Sequence, residues 1–186
     1  MIITFFATQN EFRKWLIKYH TNETQLIVGF YKVGSNKLSM TWSESVDQAL
    51  CFGWIDGIRR KLSETQTMQL ISPRQVQHWT KTYKDRFAKL EKEGRMMDAG
   101  RAVVLLSKKQ GLWDFMDDVD NLIKPADFLL ALEQSPPALQ CFDAFGAASK
   151  RFMLRYIKIA KTPATREKRI QQIALLAKDN KKLPGS

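Results

Sequence analysis

The stretch ALCFGWIDGIRRKL, Ala49 to Leu62, holds the turning point of the chain. Ala49, Leu50, Cys51 and Phe52 close an apolar helical run, and Gly53 follows where a helix favours a left-handed residue. Upstream, Thr41 and Glu44 have the spacing of a capping box, which starts this helix and turns Val46, Ala49 and Leu50 inward. Downstream, WIDGIRRKL leaves in a different conformation and reads as a strand. TMQLIS, Thr67 to Ser72, alternates and is its partner, ended by Pro73, which lacks a ladder donor.

Working outward toward the N-terminus, QLIVGFYKV, Gln25 to Val33, is β-branched and aromatic and reads as a second strand region. GSNK is a turn, and Leu38 to Met40 reads as a short return strand. Before it, Thr8 and Glu11 repeat the capping spacing. Phe12, Trp15, Leu16 and Tyr19 then fall on one helical face.

Beyond Pro73 the pattern is helical. Val76, Trp79, Tyr83, Phe87 and Leu90 step by three or four and define one amphipathic helix, closed by Gly94. Asp98 caps the next, with Ala102, Leu105 and Leu106 inward. Trp113 to Lys124 reads as an acidic loop. Pro125, and Ser135 with Pro136, start two short helices. Ser149 caps another, and Thr162 caps a last one with Pro163 in its first turn. The expected fold class is α+β, with a small antiparallel sheet and helices in the N-terminal half and a helical C-terminal half. The expected organisation is an α+β unit over 1–94 with a helical unit over 95–180 packed on it, or the two as one continuous domain, and a frayed tail over 181–186.

Of 186 residues, 44% are hydrophobic, enough for an ordinary core without metal or disulfide staples. The two cysteines, Cys51 and Cys141, sit in apolar runs and read as buried free thiols of a reducing compartment. The start, MIITFFATQN, lacks the basic region of a secretory signal, and no apolar run reaches membrane-span length. A cytoplasmic location is expected.

The net charge is +11, and residues 150–186 hold 11 basic against 2 acidic side chains. Arg151, Arg155 and Lys158 share one helical face, and Arg166 and Arg169 share another. Four guanidinium groups, which suit phosphate geometry, and the Lys158 ammonium form a candidate anion or nucleic-acid surface. The second candidate is the GWIDG corner. Asp56 lies among Trp54, Ile55 and Gly57, and a carboxylate beside apolar bulk needs a partner. Arg59, Arg60 or Arg74 is the expected one. Trp54, Asp56, Arg59, Arg74 and Trp79 together make a candidate pocket for a small anionic or peptide ligand.

Catalytic and cofactor templates are not met. Neither His20 nor His78 accompanies a nucleophile motif. Two histidines and two cysteines at wide separation make no metal pattern. The acidic run Asp114, Asp117, Asp118 and Asp120 lacks the glycine and terminal glutamate of a calcium loop. No glycine-rich phosphate loop occurs. No catalytic residue, metal or cofactor is expected.

Four separated motifs, WSESVDQALCFGWIDG, Pro-Arg followed by a tryptophan, KEGRMMDAG and AKTPATREKRI, stand in this order. In them the chain resembles the YdeI/OmpD-associated family of small bacterial proteins, labelled bacteriocin-protection proteins, from roughly Phe5 to Leu176. The resemblance implies an α+β unit followed by a helical segment, and a role in stress or bacteriocin tolerance. It carries no reaction. The chain departs from the family pattern after GWIDG. Ser63 stands for an aspartate and Thr67 for an aromatic. Leu70 and Ile71 stand for an Arg-Phe pair, Ser72 for a threonine and Tyr83 for an asparagine. Two readings follow: a non-catalytic binding protein using the GWIDG corner, or a nucleic-acid-associated protein using the basic C-terminal helices.

Overall fold

A computed structural model describes residues 2–75 and 78–185. The chain forms two compact units, Met1–Asp114 and Phe115–Ser186, each with its own apolar core. The first runs past the boundary expected at residue 94.

In the first unit Thr8 and Thr41 both act as caps, and the reciprocal capping box closes at Thr41. Thr8 caps helix α1 (Gln9–Tyr19), which buries Phe12 and Leu16 completely. Thr41 caps α2 (Trp42–Cys51): its hydroxyl accepts from the Glu44 amide at 3.2 Å, and the Glu44 carboxylate accepts from the Thr41 amide at 2.7 Å. Gly53 then adopts φ +75°. A Cβ there would lie 2.8 Å from the Val103 side chain, so turn geometry and packing both require glycine.

The reversal launches strand β3 (Trp54–Lys61), which pairs antiparallel with β4 (Gln66–Pro73). The Arg74 amide donates to the Gly53 carbonyl at 2.9 Å and ties the hairpin back to its origin. β4 pairs antiparallel with β2 (Leu26–Tyr31). A fourth strand, β1 (Thr4–Phe5), adds parallel to β2, giving the order β1-β2-β4-β3. Two residues are too short to show a period, so β1 is not legible in sequence. It is held by the Phe5 ring, which lies over Gly29 where any Cβ would come within 2.4 Å, and stacks on Tyr31. The return strand expected at Leu38–Met40 is absent. That segment is anchored by single bonds, Met40 to the Phe6 carbonyl and the Tyr31 amide to the Ser39 hydroxyl.

Helix α3 (Lys81–Lys92) starts later than its periodicity suggests, so Trp79 precedes it in non-helical chain, and Val76 lies outside the described residues. In α4 (Asp98–Lys109) the expected inward face is wrong. Leu105 and Leu106 are 56% and 52% exposed, while Gly100, Val104 and Ser107 are buried. Gly100 explains this rotation, because its missing side chain lets α4 touch the α2 backbone directly.

The second unit is helical: α5 (Asp117–Asp120), α6 (Ala126–Glu133), α7 (Ala138–Ala144), α8 (Ala147–Lys158) and α9 (Pro163–Lys178). The acidic run expected as a loop contains the single turn α5. α7 begins after the cis Pro136–Pro137 peptide, later than expected. Ser149 is buried inside α8, which starts at Ala147, so it is not the cap. Thr162 does cap α9, accepting from the Thr165 amide at 3.2 Å. Leu183 is 6% exposed, so the tail docks on this core instead of fraying there. Cys51 is buried and Cys141 only half-buried, both free.

Candidate functional site

The GWIDG corner brings some of its expected residues together and separates others. Asp56 points to the helix-covered face of the sheet, and three neutral donors surround its carboxylate. The Trp42 indole donates at 3.2 Å, the Gln69 amide at 2.7 Å, and the Tyr83 hydroxyl bonds the second oxygen. These come from α2, β4 and α3. Gln69 also donates to the Gly57 carbonyl at 2.6 Å, across a bulge where the pairing slips between Asp56 and Arg59. No arginine pairs directly with Asp56 among the described residues, contrary to expectation, because tightly placed neutral donors fill its acceptor sites first. Sequence reading missed Trp42, Gln69 and Tyr83, which lie on three other elements.

Arg74 stands beside this hub. Its guanidinium lies 3.9 Å over the Trp79 ring and 5.4 Å from that of Tyr83, and donates to the His78 carbonyl at 3.0 Å. Arg74 is 8% exposed and Trp79 fully buried. Two Arg74 nitrogens and the Trp79 indole nitrogen have no hydrogen-bond partner among the described residues. Burial lowers the Arg74 pKa to about 10, against the opposing pull of Tyr83 and Asp56. Trp54 serves the core: it is 2% exposed, donates to the His20 carbonyl at 3.2 Å and meets Trp15 edge-on.

Burial, reinforced by the hydrogen bond and charge of Asp56, raises Tyr83 well above the usual phenol range. The folded protein therefore holds this proton where the unfolded chain releases it. Its contribution is fully present below a pH of about 10 and is lost as pH rises further. The Tyr83 ring-carbon NMR shift is expected to stay constant between about pH 8 and pH 11, and Tyr83→Phe to flatten the alkaline fall in stability. A phenolate signature from Tyr83 near pH 10 would show that its hydroxyl is not held by Asp56.

Arg59 lies apart from Asp56 and Arg74. Past the bulge it returns to the inner side of the sheet, 5.2 Å over the Phe30 ring, and lines a cleft of about 990 Å³. The cleft lies between the ends of β2 and β4 and the segment 32–43. Its cations are Lys32, Lys37 and Arg59, its hydroxyls include Ser39 and Thr67, and no carboxylate lines it among the described residues. Lys37 sits 5.0 Å over the Tyr31 ring. Trp42 also lines the cleft, 38% exposed, and its indole nitrogen is the one tied to Asp56. The hub thus fixes an exposed aromatic side chain in a basic cleft. The only sequence signal for this was Arg59, since Lys32 and Lys37 flank an ordinary turn.

Four of the five candidate C-terminal cations are engaged within their own unit. The Arg166 guanidinium bonds both Asp127 oxygens, at 2.7 and 2.9 Å, which lowers the Asp127 pKa. Lys158 pairs with Asp118 at 2.5 Å and lies over the Phe115 ring. Arg151 donates to the Asp120 carbonyl at 3.1 Å, and Arg169 to the Tyr156 carbonyl at 2.5 Å. Arg155 is exposed and also takes part in an interaction. Most of the expected anion surface therefore links α8 and α9 to α5 and α6. No three His, Cys, Asp or Glu side chains group as a metal site among the described residues, and no helix is long and apolar enough to cross a membrane.

A mixed four-stranded sheet with a basic cleft, followed by a helical unit, defines the class. The chain belongs to the family described as Domain of unknown function (DUF8412), whose model matches residues 4–103. Residues 121–180 match the model described as Bacteriocin-protection, YdeI or OmpD-Associated, where the expected likeness is found. No curated protein and no solved structure matches.

Proposed function

We propose that this is a non-catalytic, cytoplasmic binding protein for a small anionic ligand, held in the cleft beside the GWIDG strand and linked to stress or bacteriocin tolerance. The observation that carries the reading is the composition of the cleft: three cations, several hydroxyls, an exposed tryptophan and no carboxylate among the described lining residues. A concave basic site with one fixed aromatic plane suits an anion that carries a planar group. The tolerance link rests on the family description matched by residues 121–180. Nucleic-acid binding through Arg151, Arg155, Lys158, Arg166 and Arg169 ranks second, since a phosphate must compete there with carboxylates and carbonyls already in place.

Titration with adenosine monophosphate and with pyrophosphate, read by tryptophan fluorescence at low salt, tests the reading. Saturable quenching is expected for the nucleotide, and Arg59→Gln weakens it about tenfold, the loss of one charge-assisted contact. The thermal midpoint of Arg59→Gln falls only slightly, because Arg59 has no ion-pair partner among the described residues and loses only its contact over the Phe30 ring. No saturable response to either anion would refute the reading.

A further inference from the structure

The other face of the sheet carries a second concavity, of about 580 Å³, whose character is opposite to that of the basic cleft. Ile27, Ile58, Met68 and Leu70 line it, and Arg60 is the only charged residue among the described lining. Ile58 is 80% exposed and Leu70 41%, both inside strands, where an isolated apolar side chain gains nothing from water contact. The bulge between Asp56 and Arg59 produces this arrangement. It advances the strand by one residue, so that Arg59 returns to the inner side while Ile58 and Arg60 both line the outer groove. The Arg60 guanidinium has no hydrogen-bond or ion-pair partner among the described residues.

We propose that this groove binds a single-chain amphiphile with an anionic head, of the fatty-acid class, its chain along Ile27, Ile58, Met68 and Leu70 and its carboxylate on Arg60. Charge complementarity argues for this occupant, since one unpaired guanidinium stands at an apolar trough with no acid in the lining. A second copy of the chain is the less fitting occupant. β3 is an edge strand of the sheet, and its bulge with Arg59, Arg60 and Lys61 discourages strand-to-strand pairing. A net charge of +11 further opposes self-association. The site is independent of the basic cleft, so either proposal fails without the other.

The test is a titration of protein labelled at isoleucine and methionine methyl groups with decanoate below its micelle concentration. Saturable shifts are expected at Ile27, Ile58 and Met68, while the amides of residues 32–43 stay fixed. Arg60→Gln weakens binding about tenfold, Arg60→Lys restores most of it, and decan-1-ol binds more weakly than decanoate. Absence of shifts at these methyls would overturn the proposal, as would equal binding of decanoate and decyltrimethylammonium. Shifts that follow protein concentration alone, with a doubled mass in sedimentation, would assign the face to a second copy and overturn it as well.

Discussion

Asp56→Ala is expected to lower the stability of the protein by about 3 kcal/mol, or roughly 10 °C in thermal midpoint, and to weaken anion binding in the basic cleft. The substitution removes one acceptor group and leaves three donors behind. The Gln69 amide is 3% exposed and the Tyr83 hydroxyl sits beside the buried Arg74, so neither regains full hydration. Arg74 also loses the nearest carboxylate that favours its charge. The third donor, Trp42, is exposed, and its release frees the indole that faces the cleft. Asp56→Asn keeps one acceptor oxygen and is expected to lose less. Thermal and denaturant midpoints read the first effect and ligand titration the second. An Asp56→Ala protein of parental stability would show that the carboxylate is not the hub of the corner.

Gly100→Ala is expected to cost about 3 kcal/mol, against the gain of about 1 kcal/mol that alanine brings to an ordinary helix interior. A Cβ at position 100 would lie 2.4 Å from the Cys51 carbonyl oxygen and 2.8 Å from that of Leu50. Both are α2 backbone atoms in the last turn before Gly53, so neither can yield without shifting the corner. α4 must move away, and the contact of Val103 with the Gly53 turn opens with it. Gly146→Ala is the control: φ there is −59° and nothing stands within 4 Å, so its denaturation midpoint is expected to stay near the parent value. Equal midpoints for the two variants would contradict the close α2–α4 packing.

The same glycine shows where sequence reading stops. The helix caps at Thr8 and Thr41, the stop at Gly53 and the β3–β4 hairpin were legible because each is a local rule. The inward face of α4 was not, because Leu105 and Leu106 are the more hydrophobic candidates and only tertiary contact at Gly100 turns them out. β1 was not, since a two-residue parallel strand has no pattern and depends on Phe5 resting over Gly29. At the site, the sequence grouped Trp54, Asp56, Arg59, Arg74 and Trp79; the structure keeps Asp56, Arg74 and Trp79 near one another, sets Trp54 in the core and places Arg59 in the basic cleft. Charge logic then assigned Asp56 an arginine, while the fold supplied Trp42, Gln69 and Tyr83 from distant segments. Tyr83, read in the sequence as a departure from the YdeI/OmpD-associated pattern, holds the carboxylate here. The basic C-terminal faces were legible as charge, but their partners Asp118, Asp120, Asp127 and Tyr156 were not legible as geometry.

The central claim is that anions bind in the cleft of the first unit and not on the helices of the second. Amide shift mapping of the labelled full chain at low salt tests it most directly, with adenosine monophosphate and a short single-stranded oligonucleotide added separately. The account predicts that the nucleotide shifts residues 32–43, Arg59 and Thr67 in a saturable way, and that salt weakens the effect by screening. Shifts confined to Arg151, Arg155, Lys158, Arg166 and Arg169 with either probe would contradict it and make the helical unit the binding surface.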